Sequence, residues 1–179
     1  MIILLDLTGG LHMARFWFGI VTFGMGITIP EEEIELCSEL SRSAYIIFGL
    51  QNDLFSWEKE LEASIKNGQN HVVNALFVLM REHNISIDEA KELCKEKIHE
   101  YEADYIRTLR DVEQNRELSH DLKKYVEALQ FASTGNTLWS MTCPRYHKSI
   151  DFNPRQKSMM EKGVGMAAFR EGVTSNGHT

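Results

Sequence analysis

Proline is almost missing from this 179-residue sequence: Pro30, Pro144 and Pro154 are the only three, so the run from Glu31 to Cys143 contains none. Glycine interrupts that run only at Gly49, Gly68 and Gly135. A stretch so poor in breakers reads as nearly all helix, and strand-like alternation is confined to a few residues. Cysteine is equally scarce. Cys37, Cys94 and Cys143 are an odd number and form no CxxC pair, which excludes a disulfide framework and a zinc cluster and fits a reducing, cytosolic setting. Positive charge is in deficit too, with 19 basic residues against 26 acidic ones and a net charge of −7, so neither nucleic acid nor an anionic lipid surface is expected as a partner. The opening MIILLDLTGG lacks the basic flank and cleavage signature of a secretory leader. The longest uncharged stretch, Phe16 to Pro30, falls short of the ~20 residues that span a bilayer and reads as a buried helix.

What is present is ordinary globular material, 43% hydrophobic and 25% charged, enough for one core. A first helix is expected over Leu11 to Ile27, apolar all round and therefore central, with Gly19, Gly24 and Gly26 allowing close backbone approach or a kink. Pro30 followed by Glu31, Glu32 and Glu33 starts a second helix, expected to run unbroken to a cap at Asn67-Gly68. His71 to Arg81 forms a short apolar helix. Ser86 and Glu89 make a capping box for a helix reaching about Gln114, and Ser119 caps a last helix that stops at Pro144. Residues 148–179 have the composition of a disordered tail or interdomain linker, and residues 1–15 form an atypical leading segment before a domain over 16–147.

The chemistry concentrates in GLQNDLFSWEKE on the second helix. At about 100° per residue, Asn52, Ser56, Lys59 and Glu60 share one face within about 100° of arc. An amide oxygen, a hydroxyl and a carboxylate thus line two turns of one wall beside a lysine. These are hard oxygen donors, and Mg²⁺ takes few protein oxygens, completing its octahedron with water and substrate phosphate. Tyr45, Phe48 and Gly49 continue the wall as an apolar surface. Ile46, Leu50, Leu54, Trp57 and Leu61 form a separate core-facing stripe, and Gln51, Glu58 and Glu62 are expected in solvent.

Asn52, Asp53, Ser56, Lys59 and Glu60 match every fixed position of (N/D)DxxSxx(K/R)(D/E), the second metal motif of class I terpene synthases. FWFGIVTFGMGITIPEEE, HVVNALFVLMREHNIS and GNTLWSMTCPRYH further resemble the cyclase domain of fungal chimeric terpene synthases, over about Phe16 to His147. The resemblance implies a partial class I terpenoid synthase bundle, all-α. It implies Mg²⁺ on Asn52, Ser56 and Glu60, diphosphate contacts from Lys59, Arg145 and Tyr146, and Trp139, Phe48 and Tyr45 lining a hydrocarbon pocket. The implied substrate is a polyprenyl diphosphate, geranylgeranyl or geranylfarnesyl, ionised with release of pyrophosphate, and the implied partner is a fused or associated prenyltransferase domain.

Two family features have no counterpart here: an aspartate-rich motif on an earlier helix, and an arginine before the first helix, where only Arg15 stands nearby. The chain is accordingly expected to be the C-terminal part of a cyclase domain, with little cyclisation of its own. A catalytically silent helical interaction module, or a degenerate remnant of a cyclase, is the alternative. Glu96-Lys97-Ile98-His99 has the Glu-x-x-His step of di-iron bundles, but such a site needs two copies and no second occurs, so it reads as a solvated face.

Overall fold

The computed structural model describes residues 10–147, with side chains from Phe16 onward. The expected leading segment falls largely, and the expected tail at 148–179 wholly, outside the described residues. Within them the chain is all-α, as its lack of breakers requires. The helices are α1 (Gly10–Met25), α2 (Ile34–Leu40), α3 (Arg42–Lys66), α4 (Ala75–His83), α5 (Ile87–Gln114) and α6 (His120–Thr142), with a 3₁₀ turn at Glu31–Glu33. Two compact units are distinguished, one through Met141 and one from Thr142 onward.

The central helix of the first unit is α3, where the pattern had placed the first helix. Ala44, Ile47, Phe48, Gly49, Leu50, Gln51, Asp53, Ser56 and Trp57 are all buried, so most of the first four turns of α3 are enclosed, and exposure begins at Glu58 and Lys59. It packs against α1, α2, α4 and α5. Helix α1, by contrast, leaves Phe16, Ile20 and Phe23 exposed along one face, with Phe23 91% accessible. Uniform apolarity could not tell which side meets the core; Trp17 and Phe18 decide it by packing on Phe48 and Tyr125, with ring centroids 4.9 and 5.3 Å apart. Gly19 and Gly24 serve no close approach, since nothing lies within 4 Å of the place where a Cβ would stand.

The expected single helix from Pro30 to Lys66 is broken. A 3₁₀ turn opens it, and Ser41 stands between α2 and α3. The end of α3 follows the sequence expectation: Gly68 takes φ +67°, its N–H bonds the Ile65 carbonyl at 3.0 Å, and the Gln69 N–H bonds that of Ser64 at 3.0 Å. This pair of bonds satisfies carbonyls that the helix leaves open. Gly68→Ala is expected to cost about 1 kcal/mol, because a left-handed backbone strains a Cβ even where space is open; the midpoint of urea unfolding measures it.

Helix α5 presents Ala90, Cys94, Ile98, Tyr105 and Val112 inward. Its start is the expected capping box: Ser86 Oγ accepts from the Glu89 N–H, and Glu89 accepts from the Ser86 N–H at 2.8 Å. Glu96 and His99 lie on the exposed side, His99 beside Glu102 at 2.9 Å. Helix α6 is capped by Ser119, whose Oγ accepts from the Leu122 N–H at 3.1 Å. Leu122, Tyr125, Val126 and Leu129, spaced i, i+3, i+4 and i+7, are fully buried. Cys37 and Cys94 are buried free thiols, pushed up to about 11 and about 12 by burial, which makes them poor nucleophiles. Among the described residues no helix is long and apolar enough to cross a membrane.

Candidate metal centre

Four of the five motif residues share one face midway along α3, the helix against which α1, α2, α4 and α5 pack. Asn52 is half-buried, Ser56 is buried at 2% exposure, Glu60 is half-buried, and Lys59 is exposed. The wall is therefore no ordinary solvated helix face: its accessibility falls inward, with the lysine at the rim.

Ser56 Oγ is buried and has no hydrogen-bond partner among the described residues. Burying a hydroxyl without a partner costs about 1–3 kcal/mol, and helical serines ordinarily escape it by bonding a carbonyl one turn back. An orphaned oxygen between an amide and a carboxylate on one face fits a cation ligand. The donor set also fits in kind, being three hard oxygens of low total charge. Among the described residues no group of three or more His, Cys, Asp or Glu side chains gathers to compete for a metal.

The Asp of the motif has a different task. Asp53 is 7% exposed, and its Oδ2 accepts a 2.6 Å bond from the Ala75 N–H at the start of α4. Burial pushes its carboxyl up to about 7, the Ala75 donor pulls the other way, and the nearby Glu60 charge adds to the rise. Asp53 thus anchors α4 to α3.

Asn74, which the sequence reading passed over, completes the arrangement. It is fully buried at the N-cap of α4, where its Oδ1 accepts from the Leu76 N–H at 2.8 Å. Its Nδ2 donates to the Asp53 carbonyl and to Glu60 Oε2, both at 2.9 Å. The connection between α3 and α4 doubles back along α3, held at its far end by Ser64 Oγ donating to the His71 carbonyl at 2.8 Å. Helix α4 therefore starts at Ala75 and not at His71 as expected, because the residues between return the chain to Glu60. An Asn directly before the apolar run ALFVLM was the available signal.

Two further expectations are placed as follows. Gln51, expected in solvent, is buried at 6% exposure: its Nε2 donates to Ser133 Oγ and its Oε1 accepts from Asn136, both at 3.3 Å. It binds α6 to α3, a tertiary role that no helical wheel reveals. Glu58 is exposed as expected, paired with Lys91 at 3.3 Å. Of the aromatic residues, Phe48 is 1% exposed and lies against Trp17, Tyr45 is half-buried with its hydroxyl on that of Tyr125, and Trp139 is 44% exposed. Arg145 and Tyr146 belong to the second unit, where the guanidinium carbon lies 5.8 Å from the ring centroid.

The described residues form a helical bundle with a wall of oxygen donors on the helix that carries the most buried residues. The family model described as "Terpene synthase family 2, C-terminal metal binding" matches residues 11–104, just over half of the sequence, and the chain belongs to that family. It is 45% identical over 149 residues to fusicoccadiene synthase of Phomopsis amygdali, a match covering 83% of this chain and 21% of that protein. It is also 45% identical over 149 residues to the bifunctional type I diterpene synthase of Aspergillus flavipes (83% and 20%), and 40% identical over 160 residues to a bifunctional sesterterpene synthase of Aspergillus aculeatus (89% and 22%). The chain spans about a fifth of the length of these curated relatives.

Proposed function

We propose that this chain carries one metal-binding wall of a class I terpene cyclase acting on a C20 or C25 polyprenyl diphosphate. Asn52, Ser56 and Glu60 hold Mg²⁺, and Lys59 at the rim meets diphosphate oxygens. The observation that carries the reading is the buried Ser56 hydroxyl, which has no hydrogen-bond partner among the described residues and stands between the other two donors on α3. Relatives named for diterpene and sesterterpene synthesis support the substrate class. When bound, the cation supplies charge stabilisation for a leaving pyrophosphate. The protein's own part is to fix three oxygens on a rigid helix and to keep water from one side of them. Tyr45 and Trp139 are the aromatic surfaces offered to a hydrocarbon, with Phe48 supporting them from the core; ring faces suit developing cations. A prenyltransferase domain, fused or associated, is the expected source of substrate. By itself the chain is expected to bind metal and release little hydrocarbon.

Ser56→Ala tests the reading through two effects of opposite sign. Removing a partnerless buried hydroxyl is expected to raise metal-free stability by about 1 kcal/mol. The same change is expected to weaken Mn²⁺ binding about tenfold in the presence of inorganic pyrophosphate, measured by the loss of the free-ion resonance in electron paramagnetic titrations. Unchanged Mn²⁺ affinity would remove the metal role. That outcome would favour a silent helical interaction module, a second reading that rests on the exposed faces of α1 (Phe16, Ile20, Phe23) and α6 (Phe131, Leu138).

A further inference from the structure

The connection between α3 and α4 does more than join two helices. Its last residue, Asn74, is fully buried and uses both ends of its amide. The orientation of that amide is settled by its neighbours. A backbone N–H can only donate, so the Leu76 N–H fixes Oδ1 on the α4 side, and Nδ2 must then face α3. There it meets two acceptors, the Asp53 carbonyl and Glu60 Oε2, each at 2.9 Å. Asp53 Oδ2 holds the Ala75 N–H at 2.6 Å, so the first turn of α4 is tied to α3 by residues on both sides of Asn74's own peptide. Asn74 is accordingly held at both ends of its amide, and the carboxylate it touches has the most side-chain torsions of the three expected donors, three where serine has one and asparagine two.

We propose that Asn74 is a positioning residue: its amide N–H fixes the rotamer of Glu60 so that this carboxylate faces the cation beside Ser56 and Asn52. The inference rests on the metal-site reading above. A ligating carboxylate is commonly held by an outer hydrogen-bond partner, and loss of such a partner typically weakens metal affinity 10- to 100-fold. A neutral amide suits this task. It donates to the carboxylate without adding a charge that would compete with the metal, as a lysine or arginine there would.

The test is a double-mutant cycle on the full chain, with Mn²⁺ in the presence of inorganic pyrophosphate as probe. Asn74→Ser keeps an N-cap oxygen for α4 and removes the amide; Asn74→Thr, which also caps and suits the extended backbone at this position (φ −159°, ψ 140°), stands in should the serine variant fold poorly. Circular dichroism and thermal melting of each metal-free variant establish that the helices persist. Glu60→Gln is expected to weaken Mn²⁺ binding at least tenfold, and Asn74→Ser about tenfold. The double variant is expected to bind no more weakly than Glu60→Gln alone, because Asn74 acts through Glu60. A merely structural Asn74 would not produce that coupling. If Glu60→Gln weakens binding while Asn74→Ser binds as the parent does, or if the two losses add in full, the positioning role is overturned and the metal site stands. If Glu60→Gln binds Mn²⁺ as the parent does, the metal-site reading falls, and the role of Asn74 with it.

Discussion

Asp53→Asn is expected to stabilise the metal-free chain at pH 8 by about 4 kcal/mol and to leave it almost unchanged at pH 4. The cause is a carboxyl that folding forces into a buried place at 7% exposure, close to Glu60, with only the Ala75 N–H to favour its charge. In the folded protein its pKa stands near 7, against an ordinary value of 3.8. The native state therefore keeps this proton at pH values where the unfolded chain has lost it. Stability from this group is fully present below about pH 4 and is lost as pH rises through 7, at about 1.4 kcal/mol for each unit of difference between the two pKa values. Asparagine presents the same carbonyl to the Ala75 N–H and never ionises, so its curve lacks the decline. Urea unfolding of both proteins in EDTA at pH 4, 5.5, 7 and 8 checks this: the two stabilities should meet at the acid end and separate steadily. Parallel curves would mean that Asp53 titrates as an exposed carboxylate does.

Two unfavourable terms stand beside the candidate metal wall: an ionisable group whose charge is disfavoured at Asp53, and at Ser56 a hydroxyl without a partner among the described residues, both on α3. A second such hydroxyl, that of Ser41, stands at the N-cap of the same helix, away from the wall. Terms of this kind are expected where a surface is shaped for a ligand. Ser56→Ala and Asp53→Asn should thus both stabilise, for different physical reasons, and only the first removes a proposed ligand.

How far the sequence foretold this arrangement depends on the range of the interaction involved. The capping box at Ser86 and Glu89, the Ser119 cap and the Gly68 terminus were legible because each is settled within a few residues. The spacing of Asn52, Ser56 and Glu60 was legible for the same reason, since helical periodicity alone puts them on one face. The break at Ser41, the burial of Gln51 under α6 and the exposure of Phe23 were not. The last two are decided by partners far along the chain, Ser133 and Asn136 for Gln51, and Phe48 and Tyr125 for the choice of the buried face on α1. Asn74 falls between the two cases. Its capping role is local and could have been read, but its bond to Glu60 depends on a loop that reverses along α3.

Tyr125→Ala is expected to be the most damaging single substitution outside the site, at about 4 kcal/mol, or roughly a 10 °C fall in melting temperature for a chain of this size. Tyr125 is fully buried on α6, with its ring against Phe18 of α1 and its hydroxyl on that of Tyr45 of α3, so one side chain joins three helices. Truncation empties a ring-sized cavity that backbone on three sides cannot close. Tyr125→Phe separates packing from polarity. It keeps the ring and removes only the hydroxyl, for an expected loss of about 1 kcal/mol. The neighbouring grip of α6 on α5, where the Tyr105 hydroxyl donates to the Val126 carbonyl, remains in both variants and holds the helix in register. Tyr45 stands seven residues before Asn52 and so on the same face of α3, two turns from the proposed metal. Mn²⁺ affinity in Tyr125→Phe is therefore expected to equal that of the parent, since the donors depend on α3 and Asn74, not on the phenol pair. A tenfold loss in that variant would instead mean that the Tyr45–Tyr125 bond sets the position of the metal wall.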